Sequence, residues 1–245
     1  MPYKSEKILP YGEGGSKTGQ VRDMFNSIAP AYDFMNRAMT FGIDRLWRRR
    51  AINLLRKNSP KEILDVATGT GDFAILLQEK LNPKHIMGID LAKEMLAIAR
   101  EKAAKRGLRD KITFQIGDCL NLCFDDGSFD AVTVAYGVRN FEHLDWGYRE
   151  MYRVLAPGGI LCVVELSTPV NPFIKFLYNI YTKALIPMVG RLISHDRRAY
   201  SYLPESIAAV PQGDDMLAIM SHAGFTDCRC IRLTFGVCSI YLGRK

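Results

Sequence analysis

Gly69 and Gly71 flank a single threonine between two apolar runs, Glu62-Ile63-Leu64-Asp65-Val66 and Phe73-Ala74-Ile75-Leu76-Leu77. A strand that turns through Gly-x-Gly into a helix lets main chain approach a ligand closely, because glycine has no Cβ. Nineteen residues after Gly71, a further run, Ile86-Met87-Gly88-Ile89, ends in Asp90 and is followed by Leu91. Two adjacent strands would bring a glycine turn and a carboxylate to the same edge of a sheet. That arrangement can hold a nucleoside, with the acid accepting from the ribose hydroxyls. The spacing Gly69-x-Gly71-x-x-Ala74 with Asp90 also fits a dinucleotide fingerprint.

Three features favour S-adenosylmethionine over a dinucleotide. Asp65 stands at the carboxyl end of the first strand, where it would face an amino group and repel a pyrophosphate. Gly117-Asp118-Cys119 ends the third strand, so a polar side chain and a backbone N–H can read an adenine edge there. The Pro157-Gly158-Gly159 turn and two strand-like runs at the end of the chain suit a seven-stranded sheet whose last strand is inserted antiparallel. The acids Asp65, Asp72, Asp90 and Asp118 suit a sulfonium cation better than a diphosphate. Asp72, at a helix start, also reads as a cap.

The elements that must position these groups alternate. Strands are predicted over 62–66, 85–90, 111–116, 130–135 and 159–165, and helices over 72–80, 92–106 and 145–155. Such alternation gives an α/β fold with a parallel sheet and helices on both faces. Residues 226–233 and 235–242 read as a closing hairpin. Before the alternation, Val21, Phe25, Ile28, Tyr32, Met35 and Met39 recur at helical spacing, and Pro30 should kink or restart that helix. Asp44 reads as the N-cap of a second helix, and Arg48-Arg49-Arg50 on it as a solvated face. The division is a mobile tail over 1–20 and one domain over 21–245. That domain has N-terminal helices over 21–60 and a helical insertion or cover over 168–212. In the latter, Phe173, Phe176, Leu177, Ile180, Ala184, Leu185 and Met188 form an apolar stripe beside Lys175, Lys183 and Arg191.

Composition bounds the classes. The chain has 245 residues, a net charge of +7 and six cysteines. No block of five like charges occurs, which argues against nucleic acid as the partner. The cysteines form no CxxC pair and no metal-ligand set, so no metal is expected; free thiols suit a reducing cytoplasm. No apolar run of eighteen residues occurs that could span a membrane.

With these motifs assembled, the chain resembles the class I S-adenosylmethionine-dependent methyltransferases, and within them the ubiquinone/menaquinone biosynthesis C-methyltransferase family. The resemblance runs from about Val21 onward. It rests on Met24-Phe25-Asn26-Ser27-Ile28-Ala29-x-x-Tyr32-Asp33-x-x-Asn36, on Gly69-Thr70-Gly71-Asp72, and on Phe129 to Phe141 with Ala135-Tyr136-Gly137-Val138-Arg139-Asn140 at its centre. Met151-Tyr152-Arg153-Val154-Leu155-x-Pro157-Gly158-Gly159 and Tyr200-x-Tyr202-Leu203-Pro204-Glu205-Ser206-Ile207 also match. It implies a Rossmann-like seven-stranded methyltransferase sheet and cofactor contacts at Thr70, Asp90, Asp118 and Cys119. Cys119 stands where alanine is usual, which a main-chain contact tolerates. Ala135 stands where some members carry a serine, so that site is not carried over.

The implied reaction is C-methylation of prenylated demethylmenaquinol, the last step of menaquinone biosynthesis; the ubiquinone-pathway benzoquinol, or both quinols, is the alternative. Methylating a ring carbon requires aligned reactants and control of one proton and one developing negative charge. Arg139 would stabilise the quinolate and orient a water that takes the proton, Asn140 would hold the second ring oxygen, and Tyr32 would close over the ring. His143, His195 and His222 are the alternative bases. A prenylated substrate implies an enzyme of the cytoplasm that touches the inner face of the membrane through the stripe at 173–188. A homodimer through the same region is the other use open to that stripe.

Overall fold

The computed structural model describes residues 2–12, 14–182 and 197–245. Inside its sheet lies β1 (Glu62–Val66), where successive side chains face opposite ways: Ile63 joins one apolar layer and Leu64 and Val66 the other. Beside it lie β2 (His85–Asp90), β3 (Ile112–Ile116), β4 (Phe129–Ala135) and β5 (Leu155–Leu166), all in parallel. The last strands, β6 (Thr226–Leu233) and β7 (Cys238–Arg244), complete a seven-stranded sheet in the order β3-β2-β1-β4-β5-β7-β6. β7 runs antiparallel to both neighbours, β5 and β6.

Helices cover both faces because parallel strands buried on two sides leave two apolar layers to fill. On one face α2 (Asp44–Leu55), α3 (Asp72–Leu81) and α4 (Lys93–Lys105) bring Trp47, Leu55, Leu77 and Leu96 onto Ile63, Cys162 and Val164. On the other, α5 (Leu144–Val154) and the late helix at Asp214–His222 bring Tyr148, Met151 and Met216 onto Leu161, Val163 and Tyr241. The N-terminal helix α1 (Lys17–Thr40) continues through Pro30 instead of restarting there. Its Met24, Ile28 and Met35 form a third apolar cluster with Met95 of α4 and Tyr202. α6 (Pro172–Ile180) follows β5, and α7 (Arg197–Ala209), which carries Tyr202, precedes the Asp214–His222 helix, α8. The apolar stripe's Lys183, Ala184, Leu185, Met188 and Arg191, and His195 beyond it, lie outside the described residues.

Three expectations need correction. The segment read as a tail is packed: a 3-10 turn at Lys4–Lys7 buries Ser5, and α1 already begins at Lys17, which is 2% exposed. Asp44 does not cap α2 but is its first residue, with Ile43 as N-cap, and its carboxylate is ion-paired with Arg48. Arg48 therefore does not belong to a solvated face: it is buried, with its guanidinium 5.2 Å from the Tyr136 ring centroid, while Arg49 and Arg50 are exposed. A cation over an aromatic face gains from the ring quadrupole, which helps offset its desolvation.

Candidate active site

Parallel strands all end on one side of a sheet, so the carboxyl ends of β1 to β4 meet there. A cleft at that edge is lined by Gly69 after β1, Asp90 and Leu91 at the end of β2, Asp118 and Cys119 after β3, and Ala135 at the end of β4. Gly69 (φ 57°) adopts the left-handed conformation, and a Cβ built there would meet nothing within 4 Å. The turn there is thus kept open toward the cleft. Asp90 receives two main-chain N–H bonds, from Gly69 at 2.8 Å on Oδ2 and from Ala92 at 2.9 Å on Oδ1. A carboxylate has about four acceptor positions, so even with the Leu91 N–H also acting on it Asp90 keeps capacity for a further donor. Burial pushes its pKa upward against the stabilisation from those N–H groups. Burial also pushes the Cys119 thiol well up, which keeps it neutral.

Other sequence candidates stand behind this surface. Asp65 is 1% exposed and does not line the cleft; its two oxygens accept from Thr68 Oγ1 and Thr133 Oγ1, each at 2.6 Å. Burial raises its pKa to about 6 despite those bonds. Thr70 donates to Asp33 of α1 at 2.6 Å, and Lys102 of α4 reaches Asp33 at 2.8 Å, Thr70 at 3.1 Å and the Asp72 carboxylate. Asp72 is thus an ion-pair partner, held below the usual carboxylate range by Lys102 although its burial acts the other way. Gly71 leaves room for the core: a Cβ there would come within 3.0 Å of Ala99 and of the Phe114 ring. These residues build the turn and pin α1 to it.

A second, mostly apolar cavity opens beside the first. Met39, Trp47, Leu166, Ile174 and Leu177 line it, with Arg139 as its cation. Its volume of about 320 Å³ lies at the lower end of the roughly 300–1,000 Å³ usual for a small ligand, and its open mouth leaves a path for a chain attached to a bound ring. Tyr32 and Tyr136 line both cavities. Arg139 and Asn140, in the turn after β4, face different sides of this partition: Asn140 lines the first cavity and Arg139 the second.

Arg139 is held rigidly. It is 5% exposed, and its Nη1 donates to Glu165 Oε1 at 2.7 Å and to the Tyr136 carbonyl. Burial disfavours its charge, but Glu165 and the neighbouring tyrosines more than compensate, so its pKa rises and it stays a cation. Its Nε is buried without a partner. A buried N–H left unpaired is costly, and here it belongs to a residue of the cavity wall. Asn140 Oδ1 accepts from Tyr202 at 3.1 Å. Burial raises the Tyr202 hydroxyl, so it remains a donor. Burial likewise raises Tyr32. Of the histidines, His143 and His222 are exposed and line neither cavity.

Glu165, Tyr202, Tyr136 and Lys17 escaped the sequence reading. Glu165 had a signal: it is the single acid near the carboxyl end of an otherwise apolar strand. The Tyr202 stretch had been noted only as a motif.

Comparison with known proteins adds to this geometry. The model of the ubiE/COQ5 methyltransferase family matches residues 14–245. A demethylmenaquinone methyltransferase of Bacteroides fragilis is 51% identical over 245 residues, covering 100% of both chains. A ubiquinone/menaquinone biosynthesis C-methyltransferase of Geobacter sulfurreducens is 41% identical over 243 residues, 99% of this chain and 94% of that one. Among solved structures, a SAM-dependent methyltransferase from Aquifex aeolicus superposes with a TM-score of 0.55 at 17% identity, covering 75% of this chain and 81% of that one, and shows the same fold. Sequence, fold and relatives agree: the chain belongs to the ubiE/COQ5 methyltransferase family.

Proposed function

We propose that this protein methylates a ring carbon of demethylmenaquinol, with S-adenosylmethionine as methyl donor, to give menaquinol. The observation that carries this reading is the pair of adjoining cavities, one with the Asp90 and Asp118 carboxylates in its wall and one mostly apolar, that share Tyr32 and Tyr136 as a partition with Arg139 and Asn140 at its edge. Full-length relatives named demethylmenaquinone methyltransferase support the acceptor.

Bound in the first cavity, S-adenosylmethionine supplies an electrophilic methyl group on a sulfonium sulfur. Asp90 accepts from the ribose hydroxyls, Gly69 lets main chain come close, and Asp118 and the Cys119 N–H read the adenine edge. Leu91 contributes an apolar contact beside the nucleoside. Asp65, buried outside the cleft lining and bonded to two threonine hydroxyls, orients the turn rather than touching the donor. Thr70 and Gly71 serve the same turn from behind.

In the second cavity the Arg139 guanidinium faces the quinol oxygen as negative charge develops on it. The guanidinium N–H groups not spent on Glu165 and the Tyr136 carbonyl are donors to that oxygen or to a water that takes the hydroxyl proton. Arginine itself is no base, since it stays protonated. Asn140, its oxygen held by Tyr202 and its amide directed to the Tyr136 carbonyl, faces the donor cavity and fixes the partition beside Arg139 rather than holding the second ring oxygen. Tyr32 closes the partition over the ring. The acceptor carbon then loses its own proton and the ring regains aromaticity.

The test is methyl transfer from labelled S-adenosylmethionine to chemically reduced demethylmenaquinol, run beside the matching demethylated benzoquinol. Label in the naphthoquinol alone is the expected result. Label in both would make this a shared quinol methyltransferase, the reading that the Geobacter relative's name favours. Label in neither, with the donor bound, would refute the quinol assignment.

The prenyl tail leaves the second cavity past α6, where Phe173, Phe176 and Ile180 are exposed beside the lining residues Ile174 and Leu177. No helix among the described residues is long and apolar enough to cross a membrane. We propose that these exposed apolar side chains of α6 hold the protein peripherally at the inner face of the membrane. Co-sedimentation with anionic vesicles should fall several-fold in Phe173→Ser/Phe176→Ser; a wild-type protein that ignores vesicles would refute the contact.

A further inference from the structure

Lys17 is buried at a place that disfavours a cation twice. It is 2% exposed, and it is the first residue of α1, where the helix dipole presents its positive end. Its ammonium donates to two main-chain carbonyls, Ser5 at 2.6 Å and Arg139 at 3.2 Å. The charged groups facing it are Glu6 from the first turn and Glu142 and Arg139 from the segment after β4. Burial lowers its pKa to about 8, with Glu6 and Glu142 opposing that fall and Arg139 adding to it.

The carbonyl it holds is that of the residue whose guanidinium lines the acceptor cavity. On the other side of Arg139, its N–H reaches Glu165 Oε2 at 3.3 Å, so both peptide units around that Cα are tied. The same N-terminal stretch grips the following residues as well. Leu144 N donates to Glu6 Oε1 at 2.7 Å, Tyr3 Oη to Asp145 Oδ1 at 2.9 Å, and Thr18 N and Oγ1 to Glu142 Oε2 at 2.9 and 2.6 Å. A buried cation without a carboxylate in hydrogen-bond contact is expensive, and its two contacts tie the N-terminal turn at Ser5 to the main chain of the transfer site at Arg139.

We propose that Lys17 is a positioning residue for methyl transfer: its ammonium fixes the main chain at Arg139, and turnover depends on that ammonium staying charged. This rests on Arg139 acting in the transfer site. The expected consequence is an alkaline loss of kcat that belongs to the enzyme and not to the quinol. Below about pH 8 the lysine is charged and the turn is held; as pH rises through that value the ammonium is lost and the turn loosens.

The experiment measures kcat, and separately the Kd for S-adenosylmethionine, from pH 6.5 to about 9.5 for wild type, Lys17→Arg, Lys17→Met and Glu6→Gln. Comparing rates at each pH cancels the quinol's own titration. The wild-type/Lys17→Arg ratio should stay level below about pH 7 and fall about tenfold by pH 9, since arginine keeps its charge. Lys17→Met should lose about tenfold in kcat at pH 7, the scale of a small misplacement of a reacting group, with donor Kd unchanged. Glu6→Gln removes a charge that holds the Lys17 pKa up, so its alkaline limb should begin at lower pH; this arm stands if Lys17→Arg fails to fold. A wild-type/Lys17→Arg ratio that stays flat across the range, or a Glu6→Gln limb at the wild-type position, would overturn the proposal, even if Lys17→Met melts earlier. Arg139→Ala run alongside separates the two readings: retained turnover there would refute the transfer site itself, whereas its loss together with a flat ratio would refute Lys17 alone.

Discussion

Arg139→Ala is expected to lower kcat by at least about 100-fold, the scale of losing a donor aimed at developing charge, while changing donor Kd by less than about threefold. The split follows from position: Arg139 lines the acceptor cavity, and the donor cleft is walled by other residues. The same change should also destabilise the fold. Glu165 is 1% exposed and would keep a buried charge without its cation, which costs about 3–5 kcal/mol. The double variant Arg139→Ala/Glu165→Gln should recover much of that stability and none of the turnover. Arg139→Lys should fare little better in turnover, because an ammonium lacks the planar fork that bonds Glu165 and the Tyr136 carbonyl while keeping further N–H groups in fixed positions at the cavity wall. Single-turnover transfer, donor titration and urea unfolding measure the three quantities. Parallel loss of donor affinity and turnover in Arg139→Ala would place Arg139 on the donor side and sink the assigned role.

Asp90→Ala should act in the opposite way, raising donor Kd by at least about 100-fold through loss of charge-assisted bonds, with a smaller effect on kcat at saturating donor. It also strips acceptors from the Gly69 and Ala92 N–H groups, so the glycine turn loosens with it. Asp90→Asn keeps one acceptor oxygen and should fall between. The pH dependence has a definite sign. Burial raises the Asp90 pKa, so protonation sets in at higher pH than for a free aspartate, and the ionised form is the stronger acceptor for the ribose hydroxyls. Donor affinity should therefore weaken as pH falls, in wild type and not in Asp90→Asn. Calorimetric titration at several pH values measures it; the same acid limb in both proteins would rule Asp90 out as its source.

The sheet was legible because buried parallel strands leave continuous apolar runs between turn residues. β1, β2 and β3 lie within a residue of the expected limits, and α3 to α5 nearly so. β5 begins earlier than expected because Leu155 already pairs with Phe129, ahead of a register shift around the Ala156–Gly159 turn. Side-chain commitments were less readable. Asp65 looks free at a strand end, but Thr68 three residues on bonds one oxygen, and the β1–β4 register, which sets Asp65 opposite Thr133, supplies the partner of the other. Arg48 sits in a run of arginines that suggests solvent; Asp44 is a local partner four residues before it on α2, but Tyr136 becomes visible only when α2 meets the turn after β4. The N-terminal segment reads as polar and loose because its contacts are remote: Lys17 reaches Arg139 across 122 positions and Glu6 reaches Leu144 across 138. Local pattern carries no information about bonds at that separation.

The place of β7 has a consequence for biosynthesis. It lies between β5 and β6 in the sheet but follows both along the chain, and Lys245 closes the ladder through bonds with Gly158 and Gly159. On the ribosome, β5 with its Leu161-Cys162-Val163-Val164 run therefore emerges with one edge unsatisfied, and β6 emerges with no neighbour at all. Both wait until residues 238–244 are free to slide between them. An open apolar edge of that length is a template for pairing with another chain. Nascent chains stalled before residue 238 should thus be held by chaperones or aggregate, whereas an unfinished outer strand such as β3 would leave the centre of the sheet intact.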